Sequence, residues 1–179
     1  MKGNTADLLE AVLAGARSKG AQTERLNLAE MEFSPCLECA GCGPDDMCIM
    51  ADDDMREIYS RIRAVDAIAL ASPIFFMGVT AQTKAMIDRC QNYWVERFVH
   101  KKRAYVGRRR PKGLFVSCAG SQRPIVFEPA LHIVKSFFSA IDYEYVGEVL
   151  LANTDDPALA PRKNVALEKA RIEGAKLCE

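Results

Sequence analysis

The chain has 179 residues, 49% of them hydrophobic and 27% charged, which is enough for one ordinary folded domain, residues 1–179, with a substantial core. Lysine plus arginine equals aspartate plus glutamate at 24 each, so global charge makes no case for nucleic acid or a membrane surface as partner. No apolar run approaches the ~20 residues of a membrane span and the N-terminus has no signal-peptide pattern, which predicts a cytoplasmic protein. In that compartment seven cysteines argue against a disulfide framework and for a metal or redox role.

The first element is a helix over 5–18. Leu8, Leu9, Val12, Leu13 and Ala16 share one face, and Asn4 or Thr5 is a suitable N-cap. Residues 25–33 alternate apolar and polar, as a strand near a sheet edge does. A cysteine loop follows at once. Cys36, Cys39, Cys42 and Cys48 stand at the spacing C-x2-C-x2-C-x5-C, with Gly41, Gly43 and Pro44 to turn the backbone. Two residues between thiols let a turning chain aim each sulfur at a common centre. Four converging thiolates suit an iron–sulfur cluster or tetrahedral zinc. Zinc sites usually take two separated pairs, so this run is closer to a ferredoxin pattern, although a metal-free redox loop stays open.

Residues 53–63 form the next helix, with Asp54-Met55-Arg56-Glu57 at capping-box spacing and the acidic run Asp52–Asp54 welcomed by the helix N-terminus. Val65–Ala71 is a short apolar strand of the kind buried on both faces. Ser72–Gly78 is a loop punctuated by Pro73 and Gly78. Helix 80–92 turns Ala81, Ala85 and Ile87 inward and leaves Lys84, Asp88 and Arg89 outside. The connection 93–112 is aromatic and then basic. It reads as a solvated link, with docking of an acidic redox partner or a nicotinamide phosphate as a second reading and nucleic acid the weakest. Strand 114–118 leads into the small-residue loop Ala119-Gly120-Ser121. Helix 124–141, strand 144–151 and helix 157–178 complete the chain. Cys90, Cys118 and Cys178 are packing residues. The isolated His100 and His132 have no role, and no acid–base constellation marks a catalytic residue.

Strands alternating with helices imply parallel βαβ units and a doubly wound sheet. Right-handed crossovers then place the cysteine loop, Ser72–Gly78 and Ala119–Ser121 on one carboxyl rim, where ligands bind at a switch point. Loops of Gly, Ser and Pro beside aromatics suit a flat heterocycle, and the helix N-terminus at Gly3-Asn4-Thr5 suits a phosphate.

Gly3-Asn4-Thr5, the four-cysteine loop, Asp52–Asp54, Ser72-Pro73-Ile74-Phe75-Phe76 and Lys84…Asp88-Arg89 together resemble the iron–sulfur flavoproteins of the NADPH-dependent FMN reductase group. The specific motifs cover residues 3–92, and beyond them the likeness lies in the order of elements. The resemblance implies a flavodoxin-like α/β fold of strand order 2-1-3-4-5. It also implies FMN in the crevice, a [4Fe–4S] cluster on Cys36, Cys39, Cys42 and Cys48, and a homo-oligomer, dimer or tetramer, that brings clusters and flavins together. Asn4 and Thr5 would hold the FMN phosphate. Pro73, Ile74, Phe75, Phe76 and Gly78, with Ser72 at the loop's start, would border the isoalloxazine, as would Ala119 and Gly120. That family begins with a buried strand and a phosphate loop just before Gly-Asn-Thr. Here the chain starts at Met1-Lys2-Gly3, so strand 1 is expected to be missing or truncated, with Met1 an internal methionine and roughly ten residues absent.

Three functions follow as expectations. The first is an FMN-dependent electron-transfer iron–sulfur flavoprotein working with a ferredoxin-like carrier. The second is an NAD(P)H-dependent FMN or quinone reductase without a cluster. The third is a non-enzymatic zinc-binding module.

Overall fold

A computed structural model describes residues 3–42, 48–50 and 52–179. It opens on α1 (Asn4–Arg17) and continues through α2 (Met55–Ala64), β1 (Ala67–Ala71), α3 (Ala81–Arg89) and the short α4 (Gln91–Trp94). Then come β2 (Lys112–Cys118), α5 (Glu128–Ala140), β3 (Glu144–Leu151) and α6 (Ala160–Lys176). The three strands are parallel and adjacent in chain order. They correspond to three consecutive strands of the expected flavodoxin-like sheet, so the doubly wound α/β class holds.

Alternation along the central strand β2 divides the core in two. Leu114, Val116 and Cys118 face α1 and α6 and meet Leu8, Val12, Val149, Ala166 and Ala170. Phe115 faces the other way, toward Met55, Ile58, Met86, Val134, Phe138 and Tyr143 from α2, α3, α5 and the turn before β3. Each large apolar side chain so buried contributes about 1.5–3 kcal/mol relative to exposure. On the first face the helices touch backbone to backbone. A Cβ built on Gly174 would stand 2.0 Å from the Val12 carbonyl, and one on Gly15 would stand 2.0 Å from that of Arg171.

β1 has a free edge among the described residues. The Lys112 N–H donates to the Asp66 carbonyl and the Ser72 N–H to that of Val116. The two-residue period therefore turns the polar groups of Ala67, Ala69 and Ala71 away from β2. Residues 22–28 flank the groove on that side. A strand was expected over 25–33, which overlaps this segment, yet no strand forms there. Leu26, Leu28, Met31 and Phe33 do pack against the core, so the alternation reported burial correctly. A strand also requires a neighbouring strand to pair with; this segment's backbone is linked instead to the head of α2, through the Asp54 N–H to the Glu32 carbonyl at 3.1 Å, and pairs with no strand among the described residues.

Four smaller expectations also change. Gly3, not Asn4 or Thr5, is the N-cap of α1, and no side chain caps it. Asp54 is the N-cap residue of α2 as expected, but its side chain makes no cap bond; its carboxylate accepts the Glu32 N–H at 2.6 Å, while Asp53 takes the Met55 N–H at 3.1 Å. The buried face of α3 is Thr83, Met86 and Arg89, whereas Ala81 is exposed. In the 93–112 connection, helical structure runs on to Val99. Several of the connection's cations bond within the chain: Arg110 to the Asp142 and Tyr143 carbonyls, Lys112 to that of Lys176, and Arg109 to that of Glu179.

Candidate functional site

Because β1 and β2 run parallel, the loops after them leave from one rim. Backbone bonds stitch these loops together: Ile74 N–H to the Cys118 carbonyl at 2.9 Å, Ala119 N–H to Leu151 at 3.0 Å, and Thr154 N–H to Ala119 at 3.1 Å. A groove of about 1690 Å³ opens at this rim and continues along the free edge of β1. Asn4, Thr5, Pro73, Ile74, Phe75 and Gly120 all line it. The first-turn amides of α1 have no carbonyl of their own helix to bond and no side-chain cap, so the positive end of the helix faces the groove mouth. The Thr5 hydroxyl is already engaged with the Cys118 thiol, which burial pushes up and Thr5 partly offsets.

Four other expected residues do not line the groove. Ser72 is fully buried; its Oγ accepts the Thr80 N–H and donates to the Pro73 carbonyl, both at 3.0 Å, so it fastens the loop to α3. Ala119 is buried as well. Gly78 pairs with Phe75 through two backbone bonds of 2.9 and 3.0 Å that close a tight hairpin. Phe76 sits at the hairpin's tip, fully exposed, with φ of 49°, and Met77 beside it has φ of 64°. Such turns require positive φ at both central residues. A bulky side chain held there costs about 1–2 kcal/mol, a strain more often kept for function than for stability.

Thr80, Thr83, Thr154 and Asp155 also line the groove and were not anticipated. Asp155 lies so close over Gly120 that a Cβ there would meet its Oδ2 at 2.2 Å. Thr80 carries a local signal, since it is the N-cap of α3 and accepts the Thr83 N–H. Asp155 follows β3, and the rule that places strand-to-helix loops on the carboxyl rim points to it.

None of the four loop cysteines lines this groove. The cysteine loop stands at the head of α2. Cys42 and Cys48 form a backbone bridge, and Cys48 packs against the core. Burial pushes the Cys42 thiol up, and Cys48, Cys36 and Cys39 push it further, so the four sulfurs share one neighbourhood. The Glu38 N–H points at the Cys36 sulfur at 3.5 Å. Gly41 is not among the left-handed residues; Glu38 and Ala40 are, at φ 53° and 54°. Gly43 and Pro44 lie outside the described residues. Among the described residues no three thiol, imidazole or carboxylate groups come close enough together to hold one metal ion.

Under the loop runs a buried polar network. Arg89, expected outside, is 1% exposed. Its Nη1 donates to Asp53 Oδ2 at 2.7 Å and to the Ser34 carbonyl at 2.8 Å. Its Nη2 donates to the Met50 carbonyl at 3.0 Å and to Asp53 Oδ1 at 3.3 Å. The Tyr59 hydroxyl donates to the Arg89 carbonyl at 2.7 Å. Burial alone would raise the Asp53 carboxyl, but the Arg89 bonds and the Met55 and Ser34 N–H groups outweigh it and hold the group below its ordinary value. Arg89 Nε is buried and has no partner among the described residues. By kind, four thiols, an amide aimed at a sulfur and a buried cation suit an anionic sulfur-ligated group, although among the described residues the thiols are not drawn together as ligands.

The sequence model of the NADPH-dependent FMN reductase family matches residues 1–145. An iron–sulfur flavoprotein from Methanosarcina thermophila is 37% identical over 86 residues, 48% of this chain and 44% of that one. Another from Methanocaldococcus jannaschii is 38% identical over 88 residues, 49% and 45% of the two chains. The chain thus spans less than half the length of these curated relatives. Among solved structures, an NAD(P)H:quinone oxidoreductase from Methanothermobacter marburgensis superposes with a TM-score of 0.69 at 20% identity, covering 99% of this chain and 92% of that one. An FMN-dependent NADH-azoreductase from Bacillus anthracis, solved in complex with FMN, gives 0.70 at 12% identity, covering 98% and 91%. At those identities the likeness shows the flavodoxin-like fold alone.

Proposed function

The chain belongs to the NADPH-dependent FMN reductase family, and from that premise we propose that it is an FMN-dependent oxidoreductase of the electron-transfer kind. In this reading FMN occupies the rim end of the groove and a [4Fe–4S] cluster sits on Cys36, Cys39, Cys42 and Cys48. The observation that carries the flavin half is that Asn4, Thr5, Pro73, Ile74, Phe75 and Gly120, far apart in sequence, line one groove at the carboxyl rim. Support for the cluster half comes from the grouped thiols and from relatives that bear the name iron–sulfur flavoprotein.

When bound, FMN exchanges electrons singly or in pairs and a cluster passes them singly. The chain's own residues bind and orient. The first-turn amides of α1 hold the phosphate through a helix N-terminus. The Pro73–Phe75 backbone and Gly120 would flank the ring, with the Asp155 carboxylate packed over Gly120. Phe75, Phe76 and Met77 form an exposed apolar tip beside the groove that excludes water once covered. A second copy of this chain is the cover, which makes the protein a homo-oligomer. A ferredoxin-like carrier exchanges electrons with the cluster, NAD(P)H is a further donor, and the cytoplasm is the setting. No helix among the described residues is long and apolar enough to cross a membrane. In this reading the cofactors carry the electrons and no acid–base side chain is required.

One observation favours a second reading. No three described ligand groups gather tightly enough for a metal ion, which suits an NAD(P)H-dependent flavin or quinone reductase whose cysteine loop is incidental, and disfavours the zinc module. Anaerobic purification with iron, sulfide, zinc and flavin assays separates these readings. About four irons and one FMN per chain are expected; a yellow protein without iron establishes the second reading.

A further inference from the structure

Nothing in the resemblance or in the rim chemistry assigns a role to Arg89. It ends α3, 36 positions from Asp53 in sequence, and its guanidinium is wholly buried against that carboxylate. Its remaining contacts are specific. The Ser34 carbonyl lies two residues before Cys36, and the Met50 carbonyl two residues after Cys48. One rigid fork therefore grips both ends of the cysteine loop, and Asp53, at the head of α2, fixes the fork by a two-point pair. Asp53 also receives the Ser34 N–H at 3.4 Å, and Asp54 exchanges bonds with Glu32, so the incoming segment of the loop is tied to the head of α2 by three bonds. Lysine cannot reproduce this, because a single ammonium has no planar fork to span two carbonyls and a carboxylate.

We propose that Arg89 is the positioning residue of the four-cysteine site. It clamps Ser34 to Met50, so that the first and last thiols are held at a set separation, and it places its guanidinium, partly offset by the Asp53 carboxylate, near Cys48 of a site that would carry several negative charges. This inference rests on the cluster reading above. The clamp itself is a property of the metal-free chain and is testable without that reading. The buried charge has a second consequence. A reduced cluster carries one more negative charge than an oxidised one, so a nearby cation favours reduction.

The test uses Arg89→Gln, Arg89→Lys and Asp53→Asn beside wild type. In metal-free protein, amide exchange is followed at Ser34, Cys36 and residues 48–50, with α6 as internal reference. Arg89→Gln is expected to speed exchange at both loop ends at least tenfold and leave α6 unchanged, with Arg89→Lys intermediate. In anaerobically reconstituted protein, Arg89→Gln is expected to lose iron to a chelator at least tenfold faster than wild type. It is also expected to shift the one-electron reduction equilibrium about tenfold toward the oxidised form, about 59 mV. Arg89→Lys, which keeps the charge, restores the potential better than it restores iron retention. That split separates the charge from the clamp, and a merely structural role would not produce it. If Arg89→Gln does not fold, Asp53→Asn and Arg89→Lys carry the comparison, with loosened loop ends expected in both. Loop exchange equal to wild type in the variants overturns the clamp, and an unchanged potential in Arg89→Gln overturns the electrostatic part. If wild type binds no iron, the cluster reading fails, and the exchange measurement still decides the clamp.

Discussion

Gly174→Ala sets two known effects against each other. At an open helical position, replacing glycine by alanine stabilises by about 1 kcal/mol, because glycine loses more backbone entropy on folding. Here the new methyl would lie 2.0 Å from the Val12 carbonyl oxygen, 2.7 Å from its carbon and 2.9 Å from its Cα. All three atoms are backbone, so no side chain can swing aside and one of the two helices must move. Overpacking costs about 1–3 kcal/mol, and a 2.0 Å approach to backbone belongs to the upper part of that range, about 2–3 kcal/mol. The reciprocal contact of Gly15 with the Arg171 carbonyl limits sliding in either direction. The net expectation is destabilisation by about 1–2 kcal/mol, a fall in Tm of about 3–6 °C for a chain of this size. Because α1 presents Asn4 and Thr5 to the groove, its displacement should also weaken FMN binding. Differential scanning calorimetry and an FMN fluorescence titration read the two effects. A Tm equal to or above that of wild type would refute the interlocked-helix reasoning, since propensity would then have outweighed contact.

Other expectations follow from the same geometry. Asp53 is held below its ordinary carboxyl range when folded, so its stabilising contribution is fully present above about pH 4 and fades as pH falls through the lowered value. Urea midpoints of metal-free wild type and Asp53→Asn should therefore differ at pH 7 and converge toward pH 3. At the hairpin tip, Phe76→Gly relieves a left-handed phenylalanine and should leave Tm unchanged or raise it by a few degrees, while weakening FMN retention or self-association; a clear loss of stability would contradict the exposed-tip description. Burial pushes the Cys90 thiol strongly up and the Cys118 thiol up, so brief alkylation of native metal-free protein should mark the exposed Cys36, Cys39 and Cys178 and spare those two. Peptide mass spectrometry reads this pattern. Reconstitution with iron and sulfide should then protect Cys36 and Cys39 but not Cys178.

Elements with strong local patterning were legible from sequence. The apolar runs at Ala67–Ala71 and Lys112–Cys118 are parallel strands, and connectivity alone placed the loops after them on one rim. What could not be read depends on partners far away in the chain. Residues 25–33 alternate as a strand does, yet pairing is a property of the neighbour, and the edge of β1 is open beside them. Ser72 has the composition of a ligand loop, but its hydroxyl serves the backbone of Thr80. Arg89 follows Lys84 and Asp88 on a helix whose exposed face does carry a Lys84–Asp88 pair at 2.8 Å. Only the fold shows that the next residue turns under the cysteine loop to meet Asp53. No spacing rule links positions 53 and 89, so a buried ion pair of that separation leaves no local trace.

The central claim is that one chain carries a flavin at the sheet's carboxyl rim and a four-iron centre on its cysteine loop. A stepwise reductive titration of the anaerobic protein, recorded across the visible spectrum, tests it most directly. Flavin bands and a broad iron–sulfur absorbance are expected to bleach in the same sample, taking up two electrons and one electron per chain. A titration that bleaches flavin alone at two electrons per chain, or a sample with neither band, contradicts it.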